Sequence, residues 1–373
     1  MFYFFAELRD FISVFNIFKY ITFRAAMAAV TAFLLCIIFA PVFIRKFKEW
    51  NIREKAKRED CPDLDKFQIA KEGTPTMGGV FIVGSVLVSV LLWGDLTNQF
   101  VVLTLITCTW LAVLGGMDDY VKLMQKIAAQ SKKNVDQKMK RGLSAKTKLF
   151  WEILLGVLIG AFIWLDPKTS TKLDVPFLKN VIIDLGIFYI PLVAIIVIGT
   201  CNAVNLTDGL DGLAIGCVLI VSMTLAVLSY ISGNIKFAEY LFIPFVPGAG
   251  ELTVFCAALV GASLGFLWFN CHPASVFMGD VGSLALGGSL GVIAVFIKKE
   301  LLLVFLGGIF VLEALSVIMQ VISFKSTGKR IFKMSPFHHH LQLSGWHESK
   351  IIIRFWILAI ILALLTLTTL KIR

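Results

Sequence analysis

Five aspartates stand out in this chain because they sit where apolar runs meet short polar segments. Asp118 and Asp119 end the run in LAVLGGMDDY (111–120), Asp208 and Asp211 lie three apart in NAVNLTDGLDG (202–212), and Asp280 follows Phe277 by three in NCHPASVFMGDVG (270–282). If the run before Asp118 is a membrane helix ending at Met117, the two acids meet the negative end of its dipole, so something positive is expected beside them. On an opening helical turn Asn205, Asp208 and Asp211 share one face. Two carboxylates and an amide converging there suit a hydrated Mg2+ or the hydroxyls of a sugar or nucleoside, whereas helix capping accounts for only one of the acids. Asp280 could likewise cap the helix that follows it. Five such charges in one site repel unless a divalent cation is bound, and oxygen ligands beside phosphate chemistry favour Mg2+.

Two further motifs fit phosphate. KEGTPTMGG (71–79) offers the hydroxyls of Thr74 and Thr76, a turn stiffened by Pro75, and Gly78-Gly79, where a backbone can come close to a ligand. A helix start there would present free N–H groups to an anion, with Lys71 adding charge, although a membrane helix start also needs a cap. In SPFHHHLQLSGW (335–346) the consecutive His338, His339 and His340 diverge by about 100° per residue on a helix, so they do not readily ligate one ion. Imidazoles donating to phosphate oxygens fit them better.

The elements that position these motifs are legible from hydrophobicity. The 373 residues are 58% hydrophobic, beyond the ordinary soluble range, and apolar runs recur at 22–44, 78–93, 98–117, 149–165, 181–199, 212–231, 251–269, 283–297, 300–322 and 350–370. The expected fold is therefore all-α: one polytopic transmembrane domain over 1–373 with about ten transmembrane helices. Counting Lys and Arg in alternate connecting segments gives 22 on one side and 10 on the other. By the positive-inside rule the richer side is cytoplasmic and both termini lie on the outer side. Every motif above then falls in a cytoplasmic segment (45–77, 118–148, 200–211, 270–282 or 323–349). Net charge +10 in a soluble protein would suggest nucleic acid, but here the basic residues cluster between apolar runs, as orientation signals and contacts to anionic membrane lipids or phosphates do; no nucleic acid is expected. The seven cysteines are scattered without a C-x-x-C spacing and read as small core residues. No cleavable signal peptide is evident, so the first span is expected to direct insertion. The basic stretch Met124–Arg141 reads as a solvated surface helix.

In their order and spelling, GTPTMGG after a lysine, GGMDDY, NAVNLTDGLDGLA, FNCHPASVFMGDVGSLALGG and PFHHHLQLSGW resemble the polyprenyl-phosphate N-acetylhexosamine-1-phosphate transferases over nearly the whole chain. The histidine triplet and TPTMGG set it apart from relatives that transfer GlcNAc-1-phosphate, which remain the alternative. An ion-coupled transporter fits less well, because transporters place acids near the midplane rather than at span ends on one side. The chain departs from the family pattern in a longer segment between Asp119 and Gly142-Leu143-Ser144, and in Gln342 where an acid is common. The resemblance implies transfer of phospho-MurNAc-pentapeptide from UDP-MurNAc-pentapeptide to undecaprenyl phosphate with Mg2+ as cofactor, by a homodimer in the bacterial inner membrane. It implies a base or orienting role for Asp118, Asp119 as a helper, Asp280 as metal ligand and Phe277 stacked on uracil. Asn205, Asp208 and Asp211 would contact the nucleoside or hold the shape of its pocket, and Thr76 and Asn270 would belong to the substrate-binding set. Lys71, Lys122 and Lys146 would hold phosphates, and His338, His339 and His340 the diphosphate. Direct attack and an aspartyl intermediate both use these groups.

Overall fold

Within hydrocarbon every backbone N–H and C=O must be paired internally, so apolar runs become helices. The computed structural model describes residues 1–5, 13–50, 71, 73–131, 142–167, 169–176 and 182–371. In order these form α1 (Ile21–Glu49), α2 (Gly79–Trp93), α3 (Gln99–Ser131), α4 (Ala145–Leu165), α5 (Tyr189–Thr207), α6 (Leu213–Ser232) and α7 (Ile235–Leu241). They continue as α8 (Leu252–Asn270), α9 (Gly279–Phe296), α10 (Glu300–Leu306), α11 (Gly308–Thr327), α12 (Phe337–Gln342) and α13 (Glu348–Thr368). Nine of the described helices are long and apolar enough to cross a membrane. The remaining apolar run, α2, has 15 residues, which is about 22 Å at 1.5 Å per residue and short of a typical hydrocarbon core.

Three expectations change. The run 300–322 is not one helix but α10 and α11, separated at Gly307. The fold is not purely helical, since β1 (Lys172–Asp174) pairs antiparallel with β2 (Ile182–Asp184), setting Leu173 opposite Ile183. Most important for the site, α3 does not stop at Met117 but continues to Ser131, 33 residues in all. Asp118 and Asp119 are therefore mid-helix residues whose carbonyls continue the ladder, and the negative helix end expected beside them is absent. Apolarity ends there, but Tyr120–Ser131 contains neither Gly nor Pro to stop a helix. Of the basic stretch 124–141 the part from 132 lies outside the described residues, as do 51–70 and 72 of the segment 45–77.

The helix around which the others pack is α9. Its residues from Val281 to Phe296 are buried on every side, and many are Gly, Ala or Ser. Lipid tails are as apolar as side chains, so helices associate here by close packing, which small residues permit. At Gly115 of α3 an added Cβ would lie 2.2 Å from the Asp280 carbonyl oxygen, and at Gly79 of α2 it would lie 2.1 Å from the Gly282 nitrogen. These two backbone contacts bring the starts of α2 and α9 and the middle of α3 together, and with them TPTMGG, Asp280 and Asp118-Asp119. At the opposite end of the bundle the Met1 ammonium donates to the Leu91 carbonyl at 2.8 Å, and the Lys371 ammonium lies 3.8 Å from the Tyr240 ring centroid. Both described ends of the chain thus lie on the face away from the acids.

The crossing at Gly115 makes a direct prediction. Gly115→Ala should lower stability in a denaturant melt by about 1–3 kcal/mol, the usual range for overpacking. Gly84→Ala, with nothing within 4 Å of its new Cβ, should stay within about 0.5 kcal/mol of the parent. Equal effects at the two glycines would remove the argument for backbone contact.

Candidate active site

The loop from α8 to α9 is held by backbone bonds to KEGTPTMGG. The Phe277 N–H donates to the Pro75 carbonyl at 2.8 Å, Gly78 N–H to Phe277 O at 2.8 Å, and Gly79 N–H to Met278 O at 2.7 Å. Asn270 is buried and spends its amide on the scaffold: Nδ2 donates to Val276 O at 2.8 Å, and Oδ1 accepts from Gly212 N–H at 3.0 Å. Gly279 opens α9 at φ +75°, a conformation that L side chains rarely adopt. A Cβ at Gly279 would stand 2.8 Å from Asp119 Oδ2 and 3.3 Å from Thr76 Oγ1, so Thr76 and Asp119 flank the start of the helix that carries Asp280. Phe277 itself is half-buried.

Asp118, Asp119 and Asp280 bring carboxylate oxygens within 4.8 Å of one another. Asp118 is fully buried; its Oδ2 lies 2.6 Å from both Lys122 Nζ and Lys148 Nζ, and its Oδ1 accepts the Leu143 N–H at 2.6 Å. Asp280 Oδ2 meets the same two lysines, at 3.1 Å for Lys122 and 2.7 Å for Lys148, while Oδ1 accepts Asn205 Nδ2 at 3.0 Å. Asp119 Oδ1 is 3.6 Å from Lys122 Nζ, and its Oδ2 accepts the Val281 N–H at 3.3 Å. The chain returns to α3 just before α4, where Gly142 N–H donates to Gln125 Oε1 at 3.1 Å. Three carboxyl groups and two ammonium groups so placed form a set that can take an oxygen-seeking dication and hold phosphate oxygens.

The five aspartates do not converge as expected. Asp211 belongs to a second group with His272 and Glu348, and Asp208 is in neither group. Asp208 follows α5, its N–H donating to the Val204 and Asn205 carbonyls at 3.2 Å each. Lys71 is bound within the second group, 2.7 Å from Asp211 Oδ1 and 2.6 Å from Glu348 Oε1. Burial alone would lower its pKa, but Glu348 and Asp211 outweigh burial and raise it above the ordinary value. The histidines also part company. His338 is buried with its N–H on Glu313 Oε1 at 3.2 Å and its Nδ1 3.1 Å from Glu313 Oε2, and it packs against Gly209. His339 Nδ1 lies 2.8 Å from Gln342 Oε1, so the glutamine that departs from the family pattern still gives this ring a polar contact. His340 turns away to stack on Phe337 at 5.6 Å, its Nδ1 accepting the Lys333 N–H at 3.2 Å.

Lys148, Glu313 and Glu348 are the residues that sequence reasoning missed. Lys148, not Lys146, reaches the carboxylates, while Lys146 is exposed. Helix phase could have decided between them, since Lys148 precedes buried Glu152 by four and continues the face of Leu155, Gly156 and Ile159. Glu313 sits in an apolar span, where an acid already points to function. Glu348 had no local signal, because an acid in a first helical turn is ordinary.

Residues 101–298 match the family described as Glycosyl transferase family 4, and residues 71–83 match phospho-N-acetylmuramoyl-pentapeptide-transferase signature 1. Among proteins named phospho-N-acetylmuramoyl-pentapeptide-transferase, that of Geobacter sp. (strain M21) is 52% identical over 360 residues, covering 96% of each chain. That of Thermodesulfovibrio yellowstonii is 51% identical over 370 residues and 98% of each chain, and that of Brachyspira hyodysenteriae 48% identical over 394 residues and 99% of each.

The different placement of the two lysines is testable by stability alone. Lys148→Met should cost about 1–3 kcal/mol in a melt, below the usual penalty for breaking a buried pair because its side chain remains 24% exposed. Lys146→Met should change little, within about 0.5 kcal/mol. The reverse order would contradict the cluster described above.

Proposed function

Since the chain belongs to the phospho-N-acetylmuramoyl-pentapeptide-transferase family, we infer that the Asp118, Asp119 and Asp280 cluster is where it handles its two phosphate substrates. The protein is a multi-pass membrane enzyme that transfers phospho-MurNAc-pentapeptide from UDP-MurNAc-pentapeptide to undecaprenyl phosphate, releasing UMP, a membrane step of peptidoglycan synthesis. The observation that carries the site assignment is that Lys122 and Lys148 both bridge Asp118 and Asp280 at 2.6–3.1 Å. Such fixed ammonium groups are suited to phosphate oxygens, and phosphoryl transfer is catalysed mainly by positioning and charge stabilisation.

The donor set fits Mg2+. Three carboxyl groups with oxygens within 4.8 Å of one another offer hard oxygen ligands. Asp280 would hold the ion with Asp119 beside it; once bound, Mg2+ supplies neutralisation of the diphosphate oxygens. Asp118 orients both lysines, its Oδ1 held by the Leu143 N–H. Asn205 orients Asp280, and Phe277 offers an aromatic face for uracil on a loop fixed by its own backbone bonds. Thr76 and Asp208 belong to the substrate-binding surface in this reading, with His338 buried behind it and fixed by Glu313. The count of 22 against 10 basic residues argues for a site facing the cytoplasm of a bacterial inner membrane. Both chain ends would then lie outside, with α2 as the tenth crossing. The family resemblance supports a homodimer.

Purified protein given UDP-MurNAc-pentapeptide, undecaprenyl phosphate and Mg2+ should release UMP, lose that activity in EDTA and regain it on adding Mg2+. Full activity in EDTA would overturn the metal assignment, and Asp280→Asn should raise the Mg2+ requirement or abolish turnover while the protein still melts as a folded chain. Stacking on a base is worth roughly 1–3 kcal/mol by alanine substitution. Phe277→Ala should therefore raise the KM for the nucleotide donor about tenfold or more and spare that for the lipid; equal changes in both would refute a base-stacking role.

A further inference from the structure

Four segments far apart in sequence meet at the second acidic group. Lys71 precedes TPTMGG, Asp211 closes NLTDGLDG, His272 and Ala274 begin the loop that carries Phe277, and Glu348 lies in the first turn of α13. Glu348 Oε1 accepts from Lys71 Nζ at 2.6 Å and from the Asp211 N–H at 3.0 Å. Asp211 Oδ1 takes the same lysine at 2.7 Å, and its Oδ2 takes the Ala274 N–H at 3.0 Å with His272 Nδ1 at 3.2 Å. Asp211 and Glu348 are 3% and 9% exposed, so each would be costly to leave without a cation.

We propose that Lys71, Asp211 and Glu348 form an ionic clasp that positions the nucleotide-binding loops, with Lys71 serving the carboxylates instead of the donor's phosphates. An ammonium has three protons to donate, and here two are committed to two carboxylates at 2.6–2.7 Å. Lys122 and Lys148 also bridge two carboxylates, but their side chains are 44% and 24% exposed against 18% for Lys71, and so stand more open to a substrate phosphate. Through the Ala274 N–H the clasp sets the start of the segment that ends in Phe277, so its loss should be felt in donor binding before chemistry. Glu348 is a positioning residue in this scheme, and the inference rests on the transferase reading above.

Charge balance separates a clasp from a phosphate ligand. Lys71→Met leaves two carboxylates without their cation, and adding Glu348→Gln removes one of those charges while keeping an oxygen for the Asp211 N–H. If Lys71 is a clasp, Lys71→Met should raise the donor KM at least tenfold, and the Lys71→Met/Glu348→Gln double variant should recover most of that loss. If Lys71 binds phosphate, the double variant will be no better than the single, and the proposal fails. It fails equally if Lys71→Met has wild-type kinetics. Should Lys71→Met not fold, the pair Glu348→Leu and Glu348→Gln decides. The leucine should raise the donor KM about tenfold with kcat within about threefold, and the glutamine should restore it; matching constants for the two would overturn the clasp. Wild-type UMP release, measured in the same assays, reports separately on the transferase reading.

Discussion

Three acid side chains crowded into one cluster, two of them buried, is the condition that the rest of the structure has to satisfy. Two like charges at 4 Å repel by about 4 kcal/mol at an effective dielectric constant of 20, and Asp118, Asp119 and Asp280 have oxygens within 4.8 Å of one another. Lys122 and Lys148 answer most of that repulsion, Leu143 and Val281 contribute N–H groups, and Asn205 adds an amide. Each compensating group comes from a different part of the fold: Lys122 from the turn after the acids on α3, Lys148 from the start of α4, and Asn205 from the end of α5. The pocket therefore exists only while these helices keep their relative positions.

That rigidity comes from glycine rather than from charge. Gly115 and Gly79 let α3 and α2 touch the backbone at the start of α9, which sets where the acids stand. Packing and electrostatics then reinforce one another, because a shift of α3 against α9 would separate Asp118 from Asp280 and strand the lysines between them.

The amino-acid sequence disclosed the apolar runs well, because hydrocarbon leaves the backbone no alternative to helix, and the family motifs named the residues around the acids. It misplaced the end of α3, since the end of apolarity at Met117 is not a helix stop and the chain beyond it favours helix. It gathered five aspartates where the fold puts three in one group, Asp211 in another and Asp208 in neither, because Glu348, which draws Asp211 and Lys71 away, lies 137 residues beyond Asp211 and carries no signal of its own. Lys146 was preferred to Lys148 on motif alone, although helix phase pointed to Lys148. The strands β1 and β2 are three residues each, too short for an alternating pattern to register.

Glu348 also has a meaning in time. The chain is made from its N-terminus and its spans enter the membrane in succession, so α13 arrives after every other span described above. Until it does, Asp211 lacks the carboxylate that caps its N–H, and Lys71 has only one of its two anchors. A chain interrupted before α13 would carry Asp118, Asp119 and Asp280 while Lys71 and Asp211 still lacked their contacts to Glu348. The arrival of α13 is thereby written into the geometry of the second acidic group.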